Sequence, residues 1–363
     1  MKYYIIAGEA SGDLHASNLM RELKILDDKA DFRCWGGDLM EKQGGHLVKH
    51  YRDLAFMGFA EVIMNIRTIL RNISFCKQDI LANKPDVLIL VDYPGFNMRI
   101  AEFAKENGIK VFYYISPQIW AWKQSRVHKI KRTVDKMFVI LPFEKEFYSR
   151  FDYDVDFVGH PLLDAIANRE VANPIESEKP IIAILPGSRK QEISTMLPIM
   201  LSIRNNYPDY EFIIAGAPSI TNEYYKEIIG NNDVKIVYKQ TYDLLQQATA
   251  ALVTSGTATL ETALFGVPEV VCYSGNRFSY HIAKALIKVK YISLVNLIMD
   301  KKNVEELIQQ DFNSLRLKEE LDKLIYNKAH KEALLNNYAE LKQALGNKGA
   351  SHKAASLMIK YLS

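Results

Sequence analysis

Short apolar runs recur along the chain at 3–7, 32–35, 86–91, 110–115 and 136–141, and again at 181–185, 212–215, 234–238, 250–253 and 269–273. Runs without strict alternation predict strands buried on both faces, as in a parallel sheet covered by helices. Most lead into small polar residues and then into apolar positions at helical spacing. Leu14, Leu19, Leu23 and Leu26 follow the first run, and Leu260, Ala263, Leu264 and Phe265 follow the run at 250–253. Such repetition predicts an α/β fold of doubly wound sheets. A polar stretch at 168–179 holding Pro174 reads as a linker, which sets domains at 1–168 and 169–345 and a C-terminal helix at 346–363. From about residue 300 the chain reads as helical and charged.

In open α/β sheets ligands sit beyond the carboxyl ends of the strands, so the loops there are where chemistry is sought. The first loop, GEASGD at 8–13, lacks the GxGxxG dinucleotide fingerprint. Its Glu9, Ser11 and Asp13 offer hydrogen bonds to sugar hydroxyls; a capped turn is the alternative. Asp92 ends the run at 86–91 and is poised as a general base, or else it opens a Pro-Gly turn. The loop PGSR at 186–189 brings Arg189, a clamp for an oxyanion. At 254–257, TSGT opens a helix with Ser255 as N-cap, and the free N–H groups there favour a phosphate. Glu261 lies one turn in and can accept from a ribose diol. An ordinary capped helix is the plainer alternative.

Other stretches carry more than one reading. Phe56, Met57, Phe59, Val62, Ile63, Ile66, Ile69, Leu70, Ile73 and Phe75 make a broad apolar face with Arg67 and Arg71 among them. That is a wide core helix, an interfacial surface for anionic headgroups, or a seat for an acylated, phosphorylated ligand. Trp120 and Trp122 wall a pocket or simply pack. Lys123, Arg126, Lys129, Lys131, Arg132 and Lys136 form a solvated helix face or attract phosphates or an acidic membrane. Asp152, Asp154 and Asp156 match a DxD metal pattern, but strand alternation puts them together on a solvent face, so no metal is expected. His160, between Gly159 and Pro161, reads as structural rather than catalytic.

Composition narrows the class. At 363 residues the length favours two domains. A net charge of +3 is too small to argue for nucleic acid. Cys34, Cys76 and Cys272 are scattered without CxxC spacing, which points to a reducing compartment and away from zinc. No apolar run approaches the ~18 residues of a membrane span, and the N-terminal run is too short for a signal peptide. A cytosolic protein with at most peripheral membrane contact is expected, with no cofactor and no nucleic-acid partner.

Taken in order, GEASGD at 8–13, FMGFAEV at 56–62, DYPGFN at 92–97, SPQIWAW at 116–122, LPFE at 141–144, VGHP at 158–161, LPGSR at 185–189 and SGTATLE at 255–261 resemble the lipid-A-disaccharide synthase family. The resemblance runs from residue 3 to about residue 300. It implies a GT-B fold, two Rossmann-like domains facing across a cleft. It further implies inverting transfer from UDP-2,3-diacylglucosamine to 2,3-diacylglucosamine 1-phosphate, with release of UDP, at the inner face of the inner membrane. On this resemblance Asp92 is the base. Arg189, Ser188, Ser255, Gly256, Thr257, Glu261 and Asn296 bind the donor, and Glu9, Ser11, Asp13 and Asn97 bind the acceptor. Around Asn296 the family often has Pro in place of Val295. A homodimer is compatible with all of this. The alternatives are another UDP-sugar transferase or epimerase of the fold, and a non-catalytic nucleotide-binding protein.

Overall fold

The computed structural model describes residues 1–54, 66–169, 174–230, 233–275 and 290–363. The chain divides into two compact units, Met1–Asn168 with Leu345–Ser363, and Arg169–Ala344. Each is a wholly parallel sheet flanked by helices. No helix among the described residues is long and apolar enough to cross a membrane.

The first unit contains β1 (Lys2–Ala7), β2 (Asp31–Gly36), β3 (His46–His50), β4 (Val87–Val91), β5 (Lys110–Tyr114), β6 (Lys136–Val139) and β7 (Asp156–Phe157). Their order is β3-β2-β1-β4-β5-β6-β7. The direction of winding reverses between β1 and β4, where such sheets open toward a ligand. Pairing puts Ala7 opposite Val91 and Val91 opposite Tyr114, so three strands finish level. Every residue of β4 is buried. The C-terminal helix Ala350–Leu362 packs on helix Ala10–Leu26 of this unit. Asp164 fixes it by accepting the Gly349 and Ser351 N–H groups at 2.6 and 2.8 Å. Anionic capping of this kind complements the helix dipole.

The second unit contains β8 (Ile181–Leu185), β9 (Glu211–Gly216), β10 (Lys235–Tyr238), β11 (Ala248–Thr254), β12 (Glu269–Tyr273) and β13 (Glu305–Ile308), ordered β10-β9-β8-β11-β12-β13. Two strands depart from the sequence expectation. β13 lies in the stretch read as helical from residue 300, and β3 had no apolar run to announce it. Both are edge strands, where one side meets solvent and polar residues are tolerated. Pairing with β12 and β2 overrides their weak local signal.

Residues 55–65 fall outside the described residues, so Phe56, Met57, Phe59, Val62 and Ile63 of the broad apolar face are not placed. The part that is described, helix Ile66–Asn83, buries a narrow stripe of Asn72, Ile73, Cys76 and Ile80. Asp79 docks it on the sheet by accepting from Tyr4 Oη at 2.7 Å and pairing with Arg33. Ile66, Leu70 and Phe75 remain exposed beside exposed Arg67 and Arg71. Here the wide-core-helix reading fails, since a core helix would bury these side chains.

Glu269 begins β12 fully buried, and neither carboxylate oxygen has a hydrogen-bond partner among the described residues. Burial pushes its carboxyl well above the ordinary glutamate range. The folded state therefore holds a proton that the unfolded chain releases, so stability is full in acid and falls as pH rises. Glu269→Gln removes that titration. Its stability advantage over the native chain should grow as pH rises above the ordinary glutamate range. Thermal or denaturant melts of both proteins across that rise in pH measure it. Parallel pH profiles would show that Glu269 is not the group involved.

Candidate functional site

At the carboxyl edge of the first sheet, β4 stops and the chain must leave the core at once. Asp92 and Tyr93 do so in the left-handed region, with φ of 45° and 48°. For residues with a Cβ this costs roughly 1–2 kcal/mol each, so surrounding bonds must hold the turn. The Asp92 N–H donates to the Tyr114 carbonyl at 3.2 Å. The Asp92 carbonyl accepts from Asn97 Nδ2 at 2.7 Å and also from Tyr113 Oη. Tyr93 Oη donates to the Leu54 carbonyl at 3.1 Å. The Tyr93 ring lies over Gly8, where any Cβ would come within 2.3 Å of it. Gly8 is thus required by close approach rather than by its own turn.

The Asp92 carboxyl is left half-buried at this edge. Desolvation first, and the neighbouring charge of Glu9 second, push its pKa up to about 7, against the opposing pull of the Tyr93 N–H. Glu9 occupies the cap position of helix Ala10–Leu26, and Ser11 is exposed in the first turn. Asp92, Glu9 and Ser11 therefore share one open edge.

Two other expected sugar ligands do different work. Asp13 is buried and accepts the N–H groups of Gly37, Leu39 and Met40 at 2.8, 3.1 and 3.1 Å. It caps the short helix Asp38–Lys42. Asn97 is fully buried and spends its amide nitrogen on the Asp92 and Val91 carbonyls. It shapes the turn that carries Asp92. Glu144, given no role in the sequence reading, does the same after β6 by accepting from Ile140 and Leu141 N–H; burial pushes its pKa up to about 7.

In the second unit, the loop after β8 is wrapped around Glu192. This carboxylate accepts the Ser188 and Arg189 N–H groups at 3.0 and 3.3 Å and the Arg189 guanidinium at 3.1 Å. Gly187, at φ 107°, has no room for a Cβ, which would fall 2.6 Å from Glu192 Oε2. The expected clamp thus already holds an anion of its own. Glu192 was legible as the acid three residues past a helix cap, a pattern that signals reach-back to the loop.

Beyond β11 the expectation of Ser255 as N-cap is corrected. Its Oγ donates to the Ile292 carbonyl at 2.9 Å, and the cap position falls to Gly256. Gly256 and Thr257 are exposed, with nothing within 4 Å of where a Gly256 Cβ would lie. Thr257 and Ala258, the first two positions of helix Thr257–Leu264, come too early in the helix for an intrahelical N–H bond. Glu261 is half-buried and accepts from Tyr242 Oη at 2.6 Å, and burial raises its carboxyl pKa. Asn296 is a second correction. It is fully buried, donates to Val304 O and Glu306 Oε1, and accepts from Asn303 and Val304 N–H. No side-chain donor or acceptor is left for a ligand. With Glu306, which also gathers the Ile292 and Ser293 N–H groups, it builds the turn on which Ser255 leans.

Asp152 and Asp154 are exposed, and Asp156 accepts from Tyr361 Oη at 3.0 Å. His160 is buried, lowered to about 3 by desolvation, and accepts from the Leu162 N–H. Trp120 packs edge-on against Phe143, whereas Trp122 is exposed beneath Arg126.

A family model described as lipid-A-disaccharide synthetase matches residues 3–359. A lipid-A-disaccharide synthase of Geobacter sulfurreducens is 38% identical over 370 residues, covering 99% of this chain and 96% of that relative. Lipid-A-disaccharide synthase 1 of Legionella pneumophila (strain Lens) is 36% identical over 368 residues, covering 98% and 96%. Among solved structures, the UDP-GlcNAc 2-epimerase of Neisseria meningitidis bound to UDP-GlcNAc has a TM-score of 0.68 at 15% identity, covering 99% of this chain and 100% of that one. The glycotransferase of kitacinnamycin has a TM-score of 0.67 at 14% identity, covering 100% and 99%. These structures share the fold, two Rossmann-like domains of the GT-B kind, while the full-length sequence matches carry the kinship: the chain belongs to the lipid-A-disaccharide synthase family of glycosyltransferases.

Proposed function

We propose that the protein joins UDP-2,3-diacylglucosamine to 2,3-diacylglucosamine 1-phosphate, releasing UDP and forming the lipid A disaccharide precursor. The observation that carries the reading is the Asp92 turn: a carboxyl held at a strand end and poised near neutrality. The nucleophile is a sugar primary hydroxyl, far too weak an acid to ionise unaided. Asp92 accepts its proton as the oxygen attacks the anomeric carbon, and the bond from that carbon to the diphosphate breaks with inversion. Glu9 and Ser11 orient the acceptor sugar. The departing diphosphate takes the electron pair and is stabilised by the helix N-terminus at Gly256–Thr257 and by Arg189, released from Glu192. Glu261 accepts from the donor ribose.

The exposed Ile66, Leu70 and Phe75, with Arg67 and Arg71 beside them, suit peripheral contact with an anionic bilayer. Such contact at the inner face of the inner membrane would give access to two acylated substrates.

Five outcomes test this reading. Asp92→Asn keeps shape but not basicity, so turnover should drop ~10²–10⁴-fold with UDP binding and melting unchanged. In the native enzyme kcat/KM should climb with pH through about 7, because the base must be ionised. Glu9→Gln should move that limb to lower pH by removing the neighbouring charge; a limb that stays put would detach Asp92 from it. Arg189→Ala should weaken UDP binding about tenfold in a calorimetric titration; native affinity would remove Arg189 from the donor site. Ile66→Ser with Leu70→Ser should reduce flotation with phosphatidylglycerol vesicles without lowering the melting temperature, since both side chains are already exposed. Undiminished flotation would rule this face out.

A further inference from the structure

Next to the Asp92 turn lies a cavity of about 250 Å³ that the proton transfer does not use. Helix Pro94–Glu106, which begins two residues after Asp92, forms one side. The loop after β5 and helix Val127–Thr133 form the others. Met98, Pro117, Ile119 and Ile130 give it apolar walls. Three cations, Arg99, Arg126 and Lys129, stand at it.

The bonding of those cations is uneven. Lys129 is paired with Glu102 at 2.8 Å. Arg99 spends one N–H on the Gly95 carbonyl, and Arg126 lies over the Trp122 ring at 4.6 Å. Neither guanidinium has a carboxylate partner among the described residues. Two guanidiniums left with spare N–H donors match a phosphate, whose oxygens take them in pairs. The Pro94–Glu106 helix adds its positive end on the same side. The apolar walls favour an anion joined to a nonpolar body over free inorganic phosphate. Among the basic residues of 123–136, Arg126 and Lys129 thus face a cavity, which a purely solvated helix face would not require.

We infer that this cavity receives the phosphate monoester of the acylated acceptor, held by Arg99 and Arg126, so that the anchored sugar presents its hydroxyl to Asp92. The inference rests on the reading of the protein as a disaccharide synthase. It makes the two arginines the determinants of preference for a phosphorylated acceptor.

The test uses the full chain and an Arg99→Gln/Arg126→Gln variant whose melting temperature matches the native protein. Calorimetry with hexyl phosphate, and hexanol as control, probes the cavity without any turnover. The native protein should bind hexyl phosphate and not hexanol, and the variant should bind it at least about tenfold more weakly. In the assay, the variant's KM for the phosphorylated acceptor should rise at least about tenfold, by more than kcat falls. Its preference over the dephosphorylated acceptor should collapse. Equal hexyl phosphate binding by both proteins, or by neither, would overturn the inference whatever the turnover. An unchanged acceptor KM with lost flotation on phosphatidylglycerol vesicles would also overturn it, giving the arginines to a membrane headgroup. Arginine-dependent hexyl phosphate binding in a native protein that forms no disaccharide would sink the activity reading and leave the cavity's phosphate site standing.

Discussion

Parallel pairing is the constraint on which the rest of each unit depends. Because every strand runs the same way, their carboxyl ends collect at one edge, and the register sets which loops emerge together. Ala7 level with Val91 brings the 8–13 loop beside the 92–97 loop. In the second sheet Val253 pairs with Leu185, which brings the 186–189 loop beside Ser255–Thr257. The cost is that fully buried strands must turn within a residue or two, exposing backbone groups that need partners. Side chains supply them: Asn97 and Tyr113 at the Asp92 carbonyl, Glu192 at the 188–189 amides, Glu306 and Asn296 at the 292–304 turn.

That requirement sorts the polar residues near each edge. Asp13 and Asn296 are as deeply buried as any catalytic group, yet their bonds close entirely on backbone or neighbouring side chains. Asp92 differs because its backbone, not its carboxyl, takes the anchoring bonds. Two left-handed residues leave this carboxyl half-buried at the strand end while the fold satisfies the backbone behind it. Glu269 shows that a raised pKa alone does not mark such a site. Its carboxyl is also pushed up by burial, but it lies at the amino end of β12, opposite the edge where the other groups gather.

Much of this was legible in the sequence because buried parallel strands announce themselves as apolar runs and their ends as small polar loops. The edge strands β3 and β13 were not, since half of each strand meets solvent and local composition carries no apolar signal. Residue type also failed to separate ligands from braces. Asp13 and Asn97 sit in stretches that read as sugar sites, and only the partners of the Asp13 oxygens and of the Asn97 amide nitrogen reveal one as a cap and the other as a turn brace. Ser255 is a reasonable cap by type, but the Ile292 carbonyl, distant in sequence, claims its hydroxyl. Long-range backbone partners of this kind have no local signature.

The Arg189–Glu192 pair shows how a loop with outward N–H groups and a guanidinium stays ordered. A glycine-bearing loop with two outward N–H groups and a guanidinium would repel itself and fray if left unneutralised. Glu192 lends it an anion, and Gly187 gives the carboxylate the room to approach. Arg189 is exposed and Glu192 half-buried, so the pair's own contribution to stability is small, and in the proposed reaction its exchange for a diphosphate costs correspondingly little. A buried carboxylate in the same place would hold the arginine too tightly, since breaking a desolvated pair is far more costly. Partial exposure of the pair therefore lets one arrangement preorganise the loop and, in the proposed reaction, still yield its arginine to a more highly charged ligand.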